Sequence, residues 1–207
     1  MGYRSAIAYL YGLQKYGIKF GLTSISHLLA ALGNPHHRIR CVHIAGTNGK
    51  GSTAAFIASI LTAAGYKTGL YTSPHLITFT ERITINNRKI SHDSVARLTA
   101  LIRDAASPLD SITFFECATA MAFLYFAEQK VDCAVIETGM GGRLDATNVV
   151  QPILSVITTI SREHELYLGD EAEKPGHEDP FAYASPCPLT SCAAAVRHVV
   201  HKEIAEP

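Results

Sequence analysis

The residues best suited to chemistry in this sequence lie in one run, His43-Ile44-Ala45-Gly46-Thr47-Asn48-Gly49-Lys50-Gly51-Ser52-Thr53. Glycines let the backbone turn tightly, so that successive N–H groups point at phosphate oxygens. A helix starting just after the turn adds the positive end of its dipole, and Lys50 adds a point charge for the outer phosphates. The pattern departs from the common G-x-x-x-x-G-K-[ST]: the glycines before the lysine sit three apart, and Gly51 separates Lys50 from Ser52. The bland alternative is a glycine-rich turn leading into a helix. An apolar strand, a lysine, a hydroxyl and a helix in this order favour a nucleotide held by Gly46, Thr47, Asn48, Gly49, Lys50, Gly51 and Ser52.

Other reactive side chains are less specific one by one. Glu137 closes an apolar run and precedes the turn Gly139-Met140-Gly141-Gly142. Carboxyl ends of strands in α/β sheets are where ligands bind, so a binding role is favoured for it. Ser73 before Pro74 reads by itself as a turn residue, and His164 by itself as a surface histidine beside charged residues. Phe114 and Phe115 offer flat apolar surface to a ring, or equally fill the core beneath a helix. Arg82 either meets an acidic ligand or is a solvated charge beside a hairpin. Cys187 and Cys192, with His177, His198 and His201, lack the spacing of a zinc site.

The elements that must position these residues follow from periodicity. Apolar spacing predicts helices over 4–16, 24–32, 53–64, 92–106 and 114–129, and buried strands over 41–45, 67–72, 133–136 and 153–157. A small hairpin is expected around Asn86-Asn87-Arg88. Strand, loop, helix and strand in this succession build a mostly parallel sheet flanked by helices, an α/β fold. The chain is 47% apolar with a formal net charge of zero, which argues for a packed core and against a nucleic-acid partner drawn by bulk charge. No uninterrupted run of about 18 apolar residues marks a membrane span, and the first residues lack a signal peptide's apolar stretch. Five scattered cysteines fit reduced thiols in a cytoplasm.

The loop Gly46–Ser52 resembles the phosphate loop of the Mur ligase superfamily, and within it that of the folylpolyglutamate synthases, often bifunctional with dihydrofolate synthase in bacteria. Further segments carry the likeness: Tyr71-Thr72-Ser73-Pro74-His75-Leu76 with Phe79-Thr80-Glu81-Arg82-Ile83, Phe114-Phe115-Glu116, the run Glu137 to Asn148, and Ile160-Ser161-Arg162-Glu163-His164 before Leu168-Gly169-Asp170. The resemblance implies ATP-dependent ligation of L-glutamate to a folate or dihydropteroate through an acyl phosphate. Lys50, Glu137 and His164 would be catalytic, with Mg2+ on Ser73, Glu137 and His164. Folate contacts would fall on Leu22, Thr23, Ser24 and Ile25, on Thr113, Phe114, Phe115 and Glu116, and on Leu144, Asp145 and Ala146, with Pro74 to Arg82 forming a loop over the substrate. Asp145 would be the foremost of these contacts. Such proteins are usually monomeric and cytoplasmic, with neither nucleic acid nor membrane as partner.

The likeness stops after Asp170. There the family continues to a Glu-Lys-Ala-Gly segment, whereas this chain has Glu178-Asp179-Pro180 and no equivalent lysine. Residues 1–170 are therefore expected to be the N-terminal part of the ATP-binding domain, incomplete as a sheet. Residues 171–207 are expected to be a divergent, poorly ordered tail from a frameshift or gene fragment, and the C-terminal glutamate-binding domain to be absent. On that reading a catalytically inactive nucleotide- and folate-binding remnant is the alternative to a working ligase. A cell-wall peptide ligase has only the shared loop in its favour.

Overall fold

Six strands form in the computed structural model, which describes residues 1–19, 21–109 and 111–159, and all but one are short, mostly apolar runs. They are β1 (Cys41–Ala45), β2 (Thr68–Tyr71), β3 (Ile83–Ile85), β4 (Arg88–Lys89), β5 (Cys133–Glu137) and β6 (Leu154–Ile157). Five α-helices accompany them among the described residues: α1 (Tyr3–Gly12), α2 (Thr23–Ala31), α3 (Lys50–Ala63), α4 (His92–Ala106) and α5 (Phe114–Gln129). The Cys187–Cys192 stretch lies outside the described residues.

The strand order is β4-β3-β2-β5-β1-β6. Strands β2, β5, β1 and β6 run parallel, and β3 and β4 add an antiparallel hairpin on the β2 side. The hairpin turn places Asn86 and Asn87 at φ 47° and 62°. Two successive positive φ angles suit the right-handed twist of a two-residue hairpin, and asparagine tolerates them better than most residues.

Alternation along the strands divides the core. Val42, Ile44, Cys133, Val135, Leu154 and Val156 meet Ala54, Ile57 and Leu61 of α3 on one face. Cys41, Tyr71, Ala134 and Ile136 face the opposite way, under a larger cluster formed with α1, α2, α4 and α5. Helix α5 is apolar around most of its circumference because it lies between the sheet and the outer helices. Its Phe123 and Phe126 are fully buried, each contributing about 1.5–3 kcal/mol by burial. A Cβ at Gly69 would come within 2.9 Å of the Phe126 ring, so β2 carries a glycine where that ring lies on it.

Two boundaries differ from expectation by three residues or more. Helix α3 begins at Lys50 rather than at residue 53, because Gly49 takes the left-handed conformation (φ 80°) and caps it. Helix α1 ends at Gly12 and passes into a 3-10 turn, Leu13–Tyr16, closed by Gly17 at φ 65°. None of the described helices is long and apolar enough to cross a membrane. Parallel pairing brings the carboxyl ends of β1, β2, β5 and β6 to one edge, where the loops that follow them gather.

Candidate functional site

The loop after β1 is fixed by its backbone. Gly46 sits at φ 130°, where a Cβ would lie 2.1 Å from Thr158 Oγ1 and 3.1 Å from the Thr158 nitrogen. Only glycine fits such a close approach at that φ. The Thr47 N–H donates to the Thr159 carbonyl at 2.7 Å, and the Thr158 N–H to the Ala45 carbonyl at 2.9 Å, so the loop is tied to the end of β6. Asn48, Gly49 and Ser52 are exposed. A helix start leaves its first N–H groups without intrahelical partners, and those of α3 open from this loop. Lys50 Nζ donates to the carbonyls of Gly46 (2.8 Å) and Thr47 (3.0 Å), which keeps the ammonium over the loop.

Beside the loop stands Glu137, the last residue of β5 and only 4% exposed. Its Oε2 accepts the Ser73 N–H at 3.0 Å, and its Oε1 takes no hydrogen bond from the described residues. A Cβ at Gly51 would touch both carboxylate oxygens at 3.5 Å, so the start of α3 lies directly against this group. Burial raises the Glu137 pKa; the Ser73 N–H and the charges of Lys50 and Arg82 oppose the rise, while Asp145 adds to it. A buried carboxylate with one uncommitted oxygen, next to a serine hydroxyl, is an oxygen donor set suited to Mg2+. His164 lies outside the described residues. Among the described residues no three His, Cys, Asp or Glu side chains form a metal cluster.

A cavity of about 270 Å³ opens next to this pair. Nine of the expected folate contacts line it, namely Pro74, Arg82, Thr113, Phe114, Phe115, Glu116, Leu144, Asp145 and Ala146, together with Ser73. Leu22, Thr23, Ser24 and Ile25 are not in its wall. Ile25 is fully buried in the core of α2, Thr23 is exposed, and Ser24 Oγ accepts from Lys19 Nζ at 2.9 Å. Sequence reasoning missed Gly17, Ile18, Lys19, Gly139 and Met140. The signal available was the break between the first two helices, where Lys19 follows Gly17, and the glycine turn after Glu137.

Several wall residues also hold the fold. Thr113 and Glu116 form a capping box at the start of α5: Thr113 N–H and hydroxyl both donate to Glu116 Oε2 at 2.8 Å, and Glu116 N–H donates to Thr113 Oγ1 at 3.2 Å. Glu116 Oε1, buried, takes no hydrogen bond from the described residues in return. Asp145 is 7% exposed, and its oxygens are engaged: Oδ2 accepts the N–H groups of Gly139 and Met140, Oδ1 the N–H and hydroxyl of Thr147. It therefore braces the turn after β5 as well as forming wall. Thr147 gives its proton to Asp145, so the 2.8 Å contact between Thr147 Oγ1 and His43 Nε2 is donated by the histidine. Burial lowers the His43 pKa to about 3, which keeps that ring neutral.

Phe114 and Phe115 are both core and wall. Phe115 packs so closely on Gly139 that a Cβ there would fall 2.5 Å from its Cζ. Phe114 meets Tyr11 at 5.7 Å and Phe79 at 6.0 Å between ring centres. Arg82 is not a solvated charge: it is 7% exposed, its guanidinium carbon lies 5.1 Å from the Phe114 ring centre, and it forms no ion pair among the described residues. The loop that carries it is held by Glu81, whose Oε2 accepts the N–H groups of Leu76 (2.9 Å) and Ile77 (3.1 Å).

Residues 44–173 match the family described as the Mur ligase middle domain. The chain belongs to that family. Among relatives of the chain is the dihydrofolate synthase/folylpolyglutamate synthase of Bacillus subtilis (strain 168), 47% identical over 178 residues, which cover 83% of this chain and 41% of the relative. A folylpolyglutamate synthase structure from Thermotoga maritima superposes with a TM-score of 0.73 at 50% identity, covering 77% of this chain and 38% of that one. A solved FPGS complex with AMPPCP and folate gives a TM-score of 0.79 at 35% identity, over 97% of this chain and 52% of that one. The mixed, mostly parallel sheet flanked by helices is the architecture of these relatives. The chain thus spans about two-fifths of the B. subtilis relative, 41% of its length.

Proposed function

We propose that this chain carries the nucleotide and folate sites of an ATP-dependent ligase that joins L-glutamate to a folate or dihydropteroate. The observation that carries the reading is the adjacency, at one sheet edge, of a lysine-bearing glycine loop, a buried carboxylate with a free oxygen, and an aromatic cavity with a buried arginine. Likeness to folylpolyglutamate synthases, one of them solved with AMPPCP and folate, supports it. The unit with these contacts is residues 1–170, acting as a monomer in the cytoplasm; residues 171–207 stand apart from it by composition.

The chemistry follows from a carboxylate being a poor electrophile. Phosphoryl transfer from ATP gives an acyl phosphate, and attack by the glutamate amine forms the amide and releases phosphate. Such transfer needs positioned cations more than covalent help from the protein. Lys50 and the N–H groups of Gly46–Ser52 would hold the phosphates. Ser73 and Glu137, with His164, would hold Mg2+, which neutralises charge on the transferring group when bound. Phe114, Phe115, Leu144, Asp145 and Ala146 would flank the pterin and aryl rings, and Arg82 would meet an acidic group of the same ligand.

The test is phosphate release from ATP with dihydropteroate or tetrahydrofolate, glutamate and magnesium. Release above that of Lys50→Ala supports the ligase. Release no greater than that control means the chain does not ligate by itself, and calorimetry with magnesium and nucleotide then tells whether binding remains.

A further inference from the structure

Arg82 lines the cavity as a buried cation, and it is held by a side chain to which no function has been given. Arg82 Nε donates to His75 Nδ1 at 2.7 Å, and His75 Nε2 lies 3.2 Å from Tyr11 Oη. A guanidinium only donates, so Nδ1 must accept and carry no proton. The neutral ring then has its proton on Nε2, which donates to Tyr11 of α1. The His75 ring also meets Phe79 edge-on at 6.3 Å between centres, and Phe79 packs edge-on against Phe114. Arg82 is thus fixed on one side by the imidazole and on the other by the Phe114 face, while its Nη atoms form no hydrogen bond or ion pair with described residues.

We infer that His75 is a positioning residue that fixes the Arg82 guanidinium, through Nε, so that its two Nη groups meet an anionic group of the ligand at this end of the cavity. Burying an unpaired cation is costly, and the cost falls when a carboxylate completes the pair. An arginine used only to fill space would not need its Nε oriented by a neutral acceptor that is itself anchored to another helix. The identity of the anion rests on the folate reading above: the carboxylate of a pteroyl compound is the group that a cavity with flat aromatic walls and one cation would orient. Arginine suits this because one N–H can be spent on orientation while two remain for a bidentate contact.

The test uses His75→Leu, which removes the acceptor, and His75→Asn, whose Oδ1 falls near the place of Nδ1. Dihydropteroate and 6-methylpterin, which lacks the carboxylate, are titrated against each by calorimetry. Expected is about tenfold weaker dihydropteroate binding in His75→Leu, the loss of one charge-assisted arrangement, with recovery to within about threefold in His75→Asn. Binding of 6-methylpterin should stay within about twofold throughout. Equal weakening of both compounds, no weakening, or failure of asparagine to restore binding overturns the inference. Hydrogen exchange of Arg82 Nε–H, followed by NMR without ligand, tests the positioning by His75 separately from ligand binding. Wild type and His75→Asn should protect that proton and His75→Leu should not; protection kept in His75→Leu overturns the inference. Should wild-type protein bind neither compound, the folate reading fails, and the exchange result still decides what His75 does.

Discussion

The glycine loop after β1 and the aromatic cavity beyond Glu137 share one edge of the sheet but are made of different material. The loop is backbone: a glycine at φ 130°, a left-handed glycine cap, helix-start N–H groups and one lysine, all within residues 46–52. The cavity is side chain, drawn from the segment after α1, the 73–82 loop, the start of α5 and the turn after β5. A backbone site is set by local conformation and loses everything if one glycine is replaced. A side-chain site is distributed and should lose its parts one at a time.

The largest effect should come from Gly46→Ala. Its Cβ would overlap Thr158 at a φ that side chains rarely adopt, so a loss of about 3 kcal/mol in stability is expected together with loss of nucleotide binding. Urea unfolding and nucleotide titration check it; a variant with wild-type stability would show that the loop is not rigid. Asp145→Ala comes next, at about 2–4 kcal/mol, since it strands the buried N–H group of Thr147 and the partly buried ones of Gly139 and Met140. Gly139→Ala tests the same turn more gently. Its clash is with the half-buried Phe115 ring, which can move, so about 1–2 kcal/mol is expected, with pterin binding lost and nucleotide binding kept. Equal loss of both ligands in this variant would erase the contrast between loop and cavity.

The smallest effect concerns pH. The N–H groups of Ile77 and Leu76, then Lys89 and the Thr78 N–H, hold the Glu81 carboxylate at about 2, below its ordinary 4.5. A lowered carboxylate pKa means the charged form is favoured on folding, so its contribution is complete above about pH 4.5 and is lost as pH falls toward about 2. The stability difference between wild type and Glu81→Gln should therefore shrink across that window in unfolding titrations. A difference constant with pH would mean that the 76–78 loop is not held by the charge.

Elements and site were legible to different degrees. Helices α4 and α5 and strand β1 match the sequence periodicity at both ends, because their apolar spacing and caps are local. Helix α3 began three residues earlier than its apolar pattern, since a left-handed glycine has no periodic signature. Arg82 shows the limit on the site side. A charged residue beside a predicted hairpin reads either as a ligand contact or as a solvated charge, and only the packing of Phe114, Phe79 and His75 around Arg82 made it a buried cation. Gly17, Ile18 and Lys19 entered the cavity wall because α1 and α5 pack together, a contact that residues about 100 positions apart cannot announce.

By itself the sequence determined the strand–glycine loop–helix unit, the alternating faces of the sheet and the Asn86-Asn87 turn, all of which depend on backbone preferences and periodicity within a few residues. The tertiary structure alone decided the order β4-β3-β2-β5-β1-β6, the contact of Glu137 with Ser73 across 64 positions, and the pairing of the cavity-lining Arg82 with His75. Those depend on which surfaces meet once burial has brought distant segments together, and burial is a property of the whole packed chain rather than of any window along it.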